Sequence, residues 1–416
     1  MQKLIIHGRQ PLFGEITVSG AKNATLPLMF ATLLTKGEFH ISNIPRLRDV
    51  QTTVDLLKQL GTEVSFEDHS LKIWTDDLQK SEAPYDLVRT MRASILCLGP
   101  LLARAGRARV SLPGGCAIGA RPINIHLDAM AKLGAKISLE GGYVDAKVDR
   151  LVGGEIKLEL PSVTGTENVM MLATAAEGTT ILRNAAREPE VVELQNFLNA
   201  MGAKIQGAET GTITIQGRTP LHSTSHSVMP DRIEAGTFFM ACAAAGGELF
   251  LKHAKREHLE SVIQKLQECG VEFEFHPDGI RVKHIGKLCA VDVQTAPYPG
   301  FPTDCQAQMM AMLTTARGTS TIVEQVFENR YMHVQELQRM GADIRLKGNT
   351  AVIRGIEKPL SGAPVMATDL RASASLIIAG LMAEGTTIIN RIYHLDRGYE
   401  QIEKKLQQVG AKISRE

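Results

Sequence analysis

The sequence has no C-x-x-C pair among its six cysteines, no excess of either charge, and no apolar run long enough to cross a bilayer. Each absence removes a class of protein. Single cysteines at 97, 116, 242, 269, 289 and 305 argue for reduced thiols over a disulfide framework. Cys97, Cys242, Cys269 and Cys289 read as buried hydrophobes. Lys and Arg number 46 against 45 Asp and Glu, so neither nucleic acid nor an acidic membrane is an expected partner. The longest apolar run, Ile95 to Ala103, contains Gly99 and Pro100 and falls short of the ~20 residues a membrane span needs. The opening Met1-Gln2-Lys3-Leu4-Ile5-Ile6-His7-Gly8 turns polar too soon for a signal peptide. The expectation is a soluble, cytoplasmic protein. Also missing are G-x-G-x-x-G, the Walker loop, G-x-S-x-G and H-E-x-x-H. His222 and His226 are four apart, but in a Ser/Thr-rich connector, so no metal and no cofactor is expected.

What the chain does have is ordinary globular composition, 44% apolar and 22% charged, spread over 416 residues. That is too long for one core, and two domains is the natural reading. One phrase keeps returning. Leu60-Gly61, Leu133-Gly134, Met201-Gly202, Cys269-Gly270, Met340-Gly341 and Val409-Gly410 each close a helical pattern, with gaps of 73, 68, 68, 71 and 69. Out of phase with them, glycines 37, 106, 178, 246, 318 and 385 each close an Ala/Leu/Met-rich helix and open a strand. One unit therefore reads as helix, strand, loop, helix and strand hairpin in about 70 residues, six times over.

The sixth copy stops with only one hairpin strand, Ala411 to Glu416. Its missing partner stands at the other end of the chain. Lys3-Leu4-Ile5-Ile6-His7-Gly8 resembles Thr212-Ile213-Thr214-Ile215-Gln216-Gly217 of the third copy. A terminus that completes the last repeat closes a ring, and two rings of three is the simplest arrangement. The polar stretch 217–227 reads as a bulge-prone connector between copies three and four. Domains are expected at 22–229 and at 1–21 plus 230–416, with a cleft that closes around a substrate.

The chemistry gathers first in Pro113-Gly114-Gly115-Cys116-Ala117-Ile118-Gly119-Ala120-Arg121. The glycines let backbone approach a ligand, their amides can cradle an anion, and Arg121 offers a fork for carboxylate or phosphate. Cys116 sits where neighbouring cations can lower its pKa from about 8.5. The repeat predicts further convergence at helix starts, which bear Lys22, Asn23, Arg92, Thr166, Glu167, Asp231, Asp304, Asp369 and Arg371. Second loops bear Arg48, Arg121, Arg187, Arg330 and Arg397, while Arg46, Arg232 and Arg256 read as caps or surface pairs. Many cations with two or three acids suit a multiply charged anionic substrate and proton transfer.

Several of these stretches together resemble a known family. Ser19-Gly20-Ala21-Lys22-Asn23, the Cys116 loop through Pro122, Phe301-Pro302-Thr303-Asp304, Phe327-Glu328-Asn329-Arg330, Ala367 to Ser373 and Asp396-Arg397-Gly398 are similar to the enolpyruvyl transferases that act on UDP-N-acetylglucosamine, essentially end to end. The resemblance implies an α/β fold, a two-lobed inside-out α/β barrel with three pseudo-symmetric repeats per lobe. It implies transfer of enolpyruvyl from phosphoenolpyruvate to a sugar 3′-hydroxyl, the first committed step of peptidoglycan precursor synthesis, with no obligate protein partner. It assigns phosphoenolpyruvate to Lys22, Asn23, Arg121 and Arg397. Asp304 becomes the base, and Cys116 the general acid and the site of a pyruvyl or phospholactoyl adduct. Lys22, Asp369 and Arg371 would serve the tetrahedral intermediate. The nucleotide sugar falls to Arg92, Arg121, Pro122, Ile123, Asn124, Ile125, Ser162, Val163, Gly165, Asp304, Val326 and Arg330. Asn124 replaces a common aspartate there, and Thr164-Gly165 reorders a Gly-Ala. The nearest rival, 5-enolpyruvylshikimate-3-phosphate synthase, lacks the cysteine-bearing loop; a non-catalytic nucleotide-sugar scaffold would be inert toward a thiol-alkylating donor analogue.

Overall fold

The computed structural model describes residues 2–89, 91–112 and 123–416. These form two compact units, one of residues 20–229 and one of residues 2–19 with 230–416. Cys116, Arg121 and Pro122 lie outside the described residues.

At the centre of each unit are helices buried on nearly every side. In the unit containing the C-terminus, twelve of the fourteen residues of Arg232–Ala245 are buried, all eight of Gln306–Leu313, and twelve of the thirteen of Leu370–Met382. A helix apolar all round must be covered on every side. These three cover one another, Gln306–Leu313 packing on both of the others and those two on each other. In the 20–229 unit, Leu98–Ala105 packs on Val163–Ala173, and the 3-10 turn Arg92–Cys97 leading into it packs on Lys22–Ala31.

Six four-stranded sheets lie outside these helices, one per repeat and three per unit. Strands such as Thr179–Arg183 and Thr212–Gln216 alternate buried with exposed or half-buried residues, as sheets with one wet face do. The outer layer therefore carries the strands and the interior carries the helices, an inside-out α/β arrangement. The glycines that end each second helix hold φ between 93° and 106°, a left-handed cap that other residues adopt at a cost.

The N-terminal strand Leu4–His7 is hydrogen-bonded on both sides, to Thr386–Asn390 and to Lys412–Arg415, with Ile6 opposite both Thr387 and Ile413. The next residue shows why this segment belongs there. A Cβ on Gly8 would lie 2.2 Å from the Ala383 carbonyl oxygen, and one on Gly217 would lie 1.9 Å from that of Ala176. Both glycines pass over a carbonyl just beyond the end of a buried helix, and only glycine fits.

Three expectations need correction. Each sheet has one strand more than the hairpin pattern predicts, an outer strand parallel to its neighbour; it has six residues in Leu12–Thr17 and two or three in the other five sheets, such as Glu82–Ala83 or Val293–Gln294. Two or three residues carry no readable alternation. The stretch 217–227 is not all connector, because Ser225–Ser227 pairs with Gly37–Ser42 as the outer strand of the first sheet. Cys289 is exposed, whereas Cys97, Cys242, Cys269 and Cys305 are buried. No helix among the described residues is long and apolar enough to cross a membrane.

Leu4 is fully buried, so Leu4→Ala should cost about 3 kcal/mol in denaturant unfolding. A loss below about 1 kcal/mol would mean that the strand does not hold the sixth repeat together.

Candidate active site

In the 20–229 unit, the expected residues start from helix ends. Lys22 opens Lys22–Ala31 and pairs with the buried Asp49 at 2.8 Å. Asn23 beside it is half-buried, as is Arg92 at the start of its 3-10 turn. Ser162 caps the helix Val163–Ala173 by accepting from the Gly165 amide at 3.1 Å. Gly165 is required there, because a Cβ would sit 2.9 Å from Ser162 Oγ and 3.4 Å from the Ile125 side chain. That contact puts Ile125 against the 162–165 turn; Ile123 and Val163 are half-buried and Asn124 is exposed.

His126 joins the same two segments. Asn168 Oδ1 accepts from the Gly99 amide, which fixes its amide group so that Nδ2 donates to the Ile95 carbonyl and to His126 Nδ1 at 3.1 Å. Nδ1 is thus the acceptor, and the proton sits on Nε2, 3.2 Å from Thr164 Oγ1. Burial, with Arg92 adding its charge, lowers the imidazole pKa to about 4. On the same helix Glu167 is buried. Desolvation and the charges of Glu190 and Glu188 push its carboxyl well above the usual carboxylate range.

In the other unit the structure brings acids and guanidiniums of different repeats into contact. Asp304 lies in the 3-10 turn Thr303–Cys305 before Gln306–Leu313. Its Oδ1 accepts from Arg330 at 2.6 Å and its Oδ2 from Arg371 at 2.7 Å. Both arginine side chains are 5% exposed and the carboxylate 25%. Burial alone would raise the Asp304 pKa, but Arg371 and then Arg330 outweigh it and hold the group well below the usual carboxylate range. Arg371 is oriented in turn by Tyr399, whose fully enclosed hydroxyl also meets Thr237 at 2.8 Å and Gln308 at 3.1 Å.

Asp369 caps Leu370–Met382, its Oδ1 accepting from the amides of Arg371 and Ala372. Capping therefore accounts for one of the two Asp369 oxygens. Two imidazoles stand close by. His333 is driven down to about 4 by burial against the charge of Asp369, with Arg330 adding to the fall. His394 is lowered by burial and by Arg391 and Arg397. Arg397 ends the 3-10 turn Ile392–Arg397 and is half-buried, as is Val326. Arg46 and Arg256 are surface groups, over Asp68 and the Phe275 ring respectively. Arg232 is not: it is 9% exposed and lies over the Tyr298 ring, so its reading as a surface residue is corrected.

Sequence reasoning missed Asp49, His126, His333, His394 and Tyr399. Each stands close to a residue already singled out: His394 two before Asp396, His333 three after Arg330, Tyr399 next to Gly398, His126 next to Ile125 and Asp49 next to Arg48. Asp49, His126 and Tyr399 look like core positions.

A half-buried carboxylate shared by two buried guanidiniums, beside an acid-capped helix and further cations, is the equipment of an enzyme that handles anions and moves a proton. The comparisons give the class. The chain belongs to the EPSP synthase (3-phosphoshikimate 1-carboxyvinyltransferase) family, whose model matches residues 6–406. Within it, the chain is 58% identical over 416 residues, all of both chains, to a UDP-N-acetylglucosamine 1-carboxyvinyltransferase of Thermodesulfovibrio yellowstonii. It is 57% identical over 415 residues to one from Geotalea uraniireducens, covering all of this chain and 99% of that one. Among solved structures, the enolpyruvyl transferase NikO from Streptomyces tendae superposes with a TM-score of 0.90 at 25% identity, over 100% of this chain and 98% of that one. An EPSP synthase from Acinetobacter baumannii gives 0.78 at 18% identity, over 100% and 99%, and shares the fold.

His126 yields a test of its environment. A folded-state pKa of about 4 lies below the ordinary 6.5, so folding favours the neutral ring. Its contribution is intact above pH 6.5 and is lost as pH falls toward 4, by about 3 kcal/mol in all. His126→Gln should flatten the unfolding free energy across that window, leaving the part due to His333. An unchanged pH slope would contradict the buried, neutral assignment.

Proposed function

We infer that this chain transfers the enolpyruvyl group of phosphoenolpyruvate to the 3′-hydroxyl of UDP-N-acetylglucosamine and releases phosphate. The observation that carries the reading is the full-length identity of 55–58% to curated proteins named for this reaction. The acceptor in the family's name, 3-phosphoshikimate, is the less favoured one, since the EPSP synthase from Acinetobacter baumannii is only 18% identical to this chain. The reaction takes place in the cytoplasm, where it opens peptidoglycan precursor synthesis, and it needs no protein partner.

The residues divide the chemistry as follows. Lys22, Asn23, Arg121 and Arg397 hold the donor's phosphate and carboxylate, which demand several cations at once. Arg92, Ile123, Asn124, Ile125, Ser162, Val163, Gly165, Val326 and Arg330, together with Arg121 and Pro122, hold the nucleotide sugar. Asp304 takes the proton of the sugar hydroxyl as its oxygen bonds to the central carbon of the donor. Cys116 gives its proton to the methylene carbon, which completes a tetrahedral intermediate. Expulsion of phosphate and return of a methyl proton then regenerate the double bond, with Lys22, Asp369 and Arg371 stabilising the charges.

A carboxylate bonded to two guanidiniums is a weak base. Asp304 becomes effective when an anionic substrate draws Arg330 or Arg371 partly away, because losing one cationic partner raises its proton affinity. Base strength is thereby coupled to occupancy of the site.

Phosphate release from phosphoenolpyruvate in the presence of UDP-N-acetylglucosamine tests the activity. Cys116→Ser should lower turnover by about 10²-fold or more while nucleotide-sugar binding persists. Asp304→Ala should lower kcat far more than it raises KM for the donor. Undiminished turnover in either variant would remove the assigned role, and absence of phosphate release in the unaltered protein would remove the function.

A further inference from the structure

The sixfold repeat supplies its own controls. The sixth residue after the glycine that opens each long strand is Asn43, Leu112, Asn184, His253, Glu324 and Arg391 in turn, counting from the second glycine of Gly246-Gly247. Four of these residues turn the chain by adopting left-handed backbone, with φ of 57° at Asn43, 55° at Asn184, 68° at His253 and 60° at Arg391. Glu324 does not. It follows Thr319–Val323 and brings a carboxylate, 2% exposed, into a place where no other repeat has an acid.

A buried carboxylate costs several kcal/mol unless hydrogen bonds replace its water. Glu324 has four. Oε1 accepts from Thr295 Oγ1 at 2.8 Å, from the Val326 amide at 2.8 Å and from the Phe327 amide at 3.1 Å. Oε2 accepts from Thr303 Oγ1 at 2.8 Å. The donors come from three separate pieces of chain: the residue after the outer strand, the loop that leads to Arg330, and the turn that carries Asp304. The Thr303 hydroxyl, its proton given to Glu324, accepts from Arg330 Nη1 at 2.8 Å while Nη2 of the same guanidinium bonds Asp304 at 2.6 Å. A continuous chain of contacts therefore runs from Glu324 through Thr303 and Arg330 to Asp304.

We propose that Glu324 is a positioning residue for the reaction: it orients the Thr303 hydroxyl so that Arg330 presents its fork to Asp304, and it ties the 326–327 backbone to the same turn. Leu112 also lacks the left-handed turn, but only Glu324 puts an acid at this place in the repeat, and that acid is the mark of the task. A cap that only turned the chain would need no carboxylate, as Asn43, Asn184, His253 and Arg391 show. All four of its partners are donors toward it, two backbone amides and two hydroxyls free to rotate.

The proposal rests on Asp304 acting as the base, and the test separates the two ideas. Glu324→Gln keeps the shape but turns an acceptor into a donor toward Thr303. Thr303→Val keeps the Glu324 bonds to Thr295, Val326 and Phe327 and removes the hydroxyl that joins Glu324 Oε2 to Arg330. In the full chain, with phosphoenolpyruvate and UDP-N-acetylglucosamine, each should lower kcat at least about tenfold with the KM for phosphoenolpyruvate changed less than about threefold. The double variant should be no slower than the slower single one, because both changes cut the same chain of contacts. Normal kcat in Thr303→Val, or losses that multiply in the double variant, would overturn the proposal even if Glu324→Gln fails to fold. No turnover in the unaltered protein would instead defeat the reading of the reaction.

Discussion

Three helices with no polar face in one unit set the terms for everything else in it. Arg232–Ala245, Gln306–Leu313 and Leu370–Met382 cannot rest on a single sheet, because each has apolar side chains pointing in every direction. They are stable only around one another, with sheets closing the outside. The fold is thus dictated by burial, and a repeat that lacked its partners would expose most of a helix.

That packing has a chemical consequence. Asp231, Asp304 and Asp369 stand at the starts of helices from three successive repeats. When the helices gather, so do their first turns, and residues distant in sequence become neighbours. Arg371 reaches Asp304, 67 positions away. Helix N-termini already favour negative charge, so carboxylates there are well placed, and the guanidiniums between them are neutralised without water. Asp304, bonded to both, offsets part of the cost of burying Arg330 and Arg371.

The repeat architecture was legible in the sequence because glycine and hydrophobic phases recur over the whole chain. Even the role of Leu4–His7 in the last repeat could be read, since Gly8 and Gly217 occupy matching places over a helix-end carbonyl. Outer strands such as Val293–Gln294 were not, being two or three residues long and held only by their neighbours. Among site residues, Asp304, Arg330 and Arg371 were visible as charged groups in loops that composition alone left unexplained, but their mutual pairing is a product of the ring. His126, Tyr399 and Glu324 escaped notice for a different reason. A polar residue enclosed among apolar ones looks like part of a strand or helix until its hydrogen-bond partners are known, and those partners come from other repeats.

The convergence of Asp304 and Arg371 is the point where fold and chemistry meet, and a double-mutant cycle measures it. Unfolding free energies of the parent protein, Asp304→Asn, Arg371→Met and the double variant should show a coupling of at least about 2 kcal/mol, as expected for an enclosed pair at hydrogen-bond distance. A coupling indistinguishable from zero would mean that the two side chains do not meet, and the account of a site assembled by the three-helix core would fail.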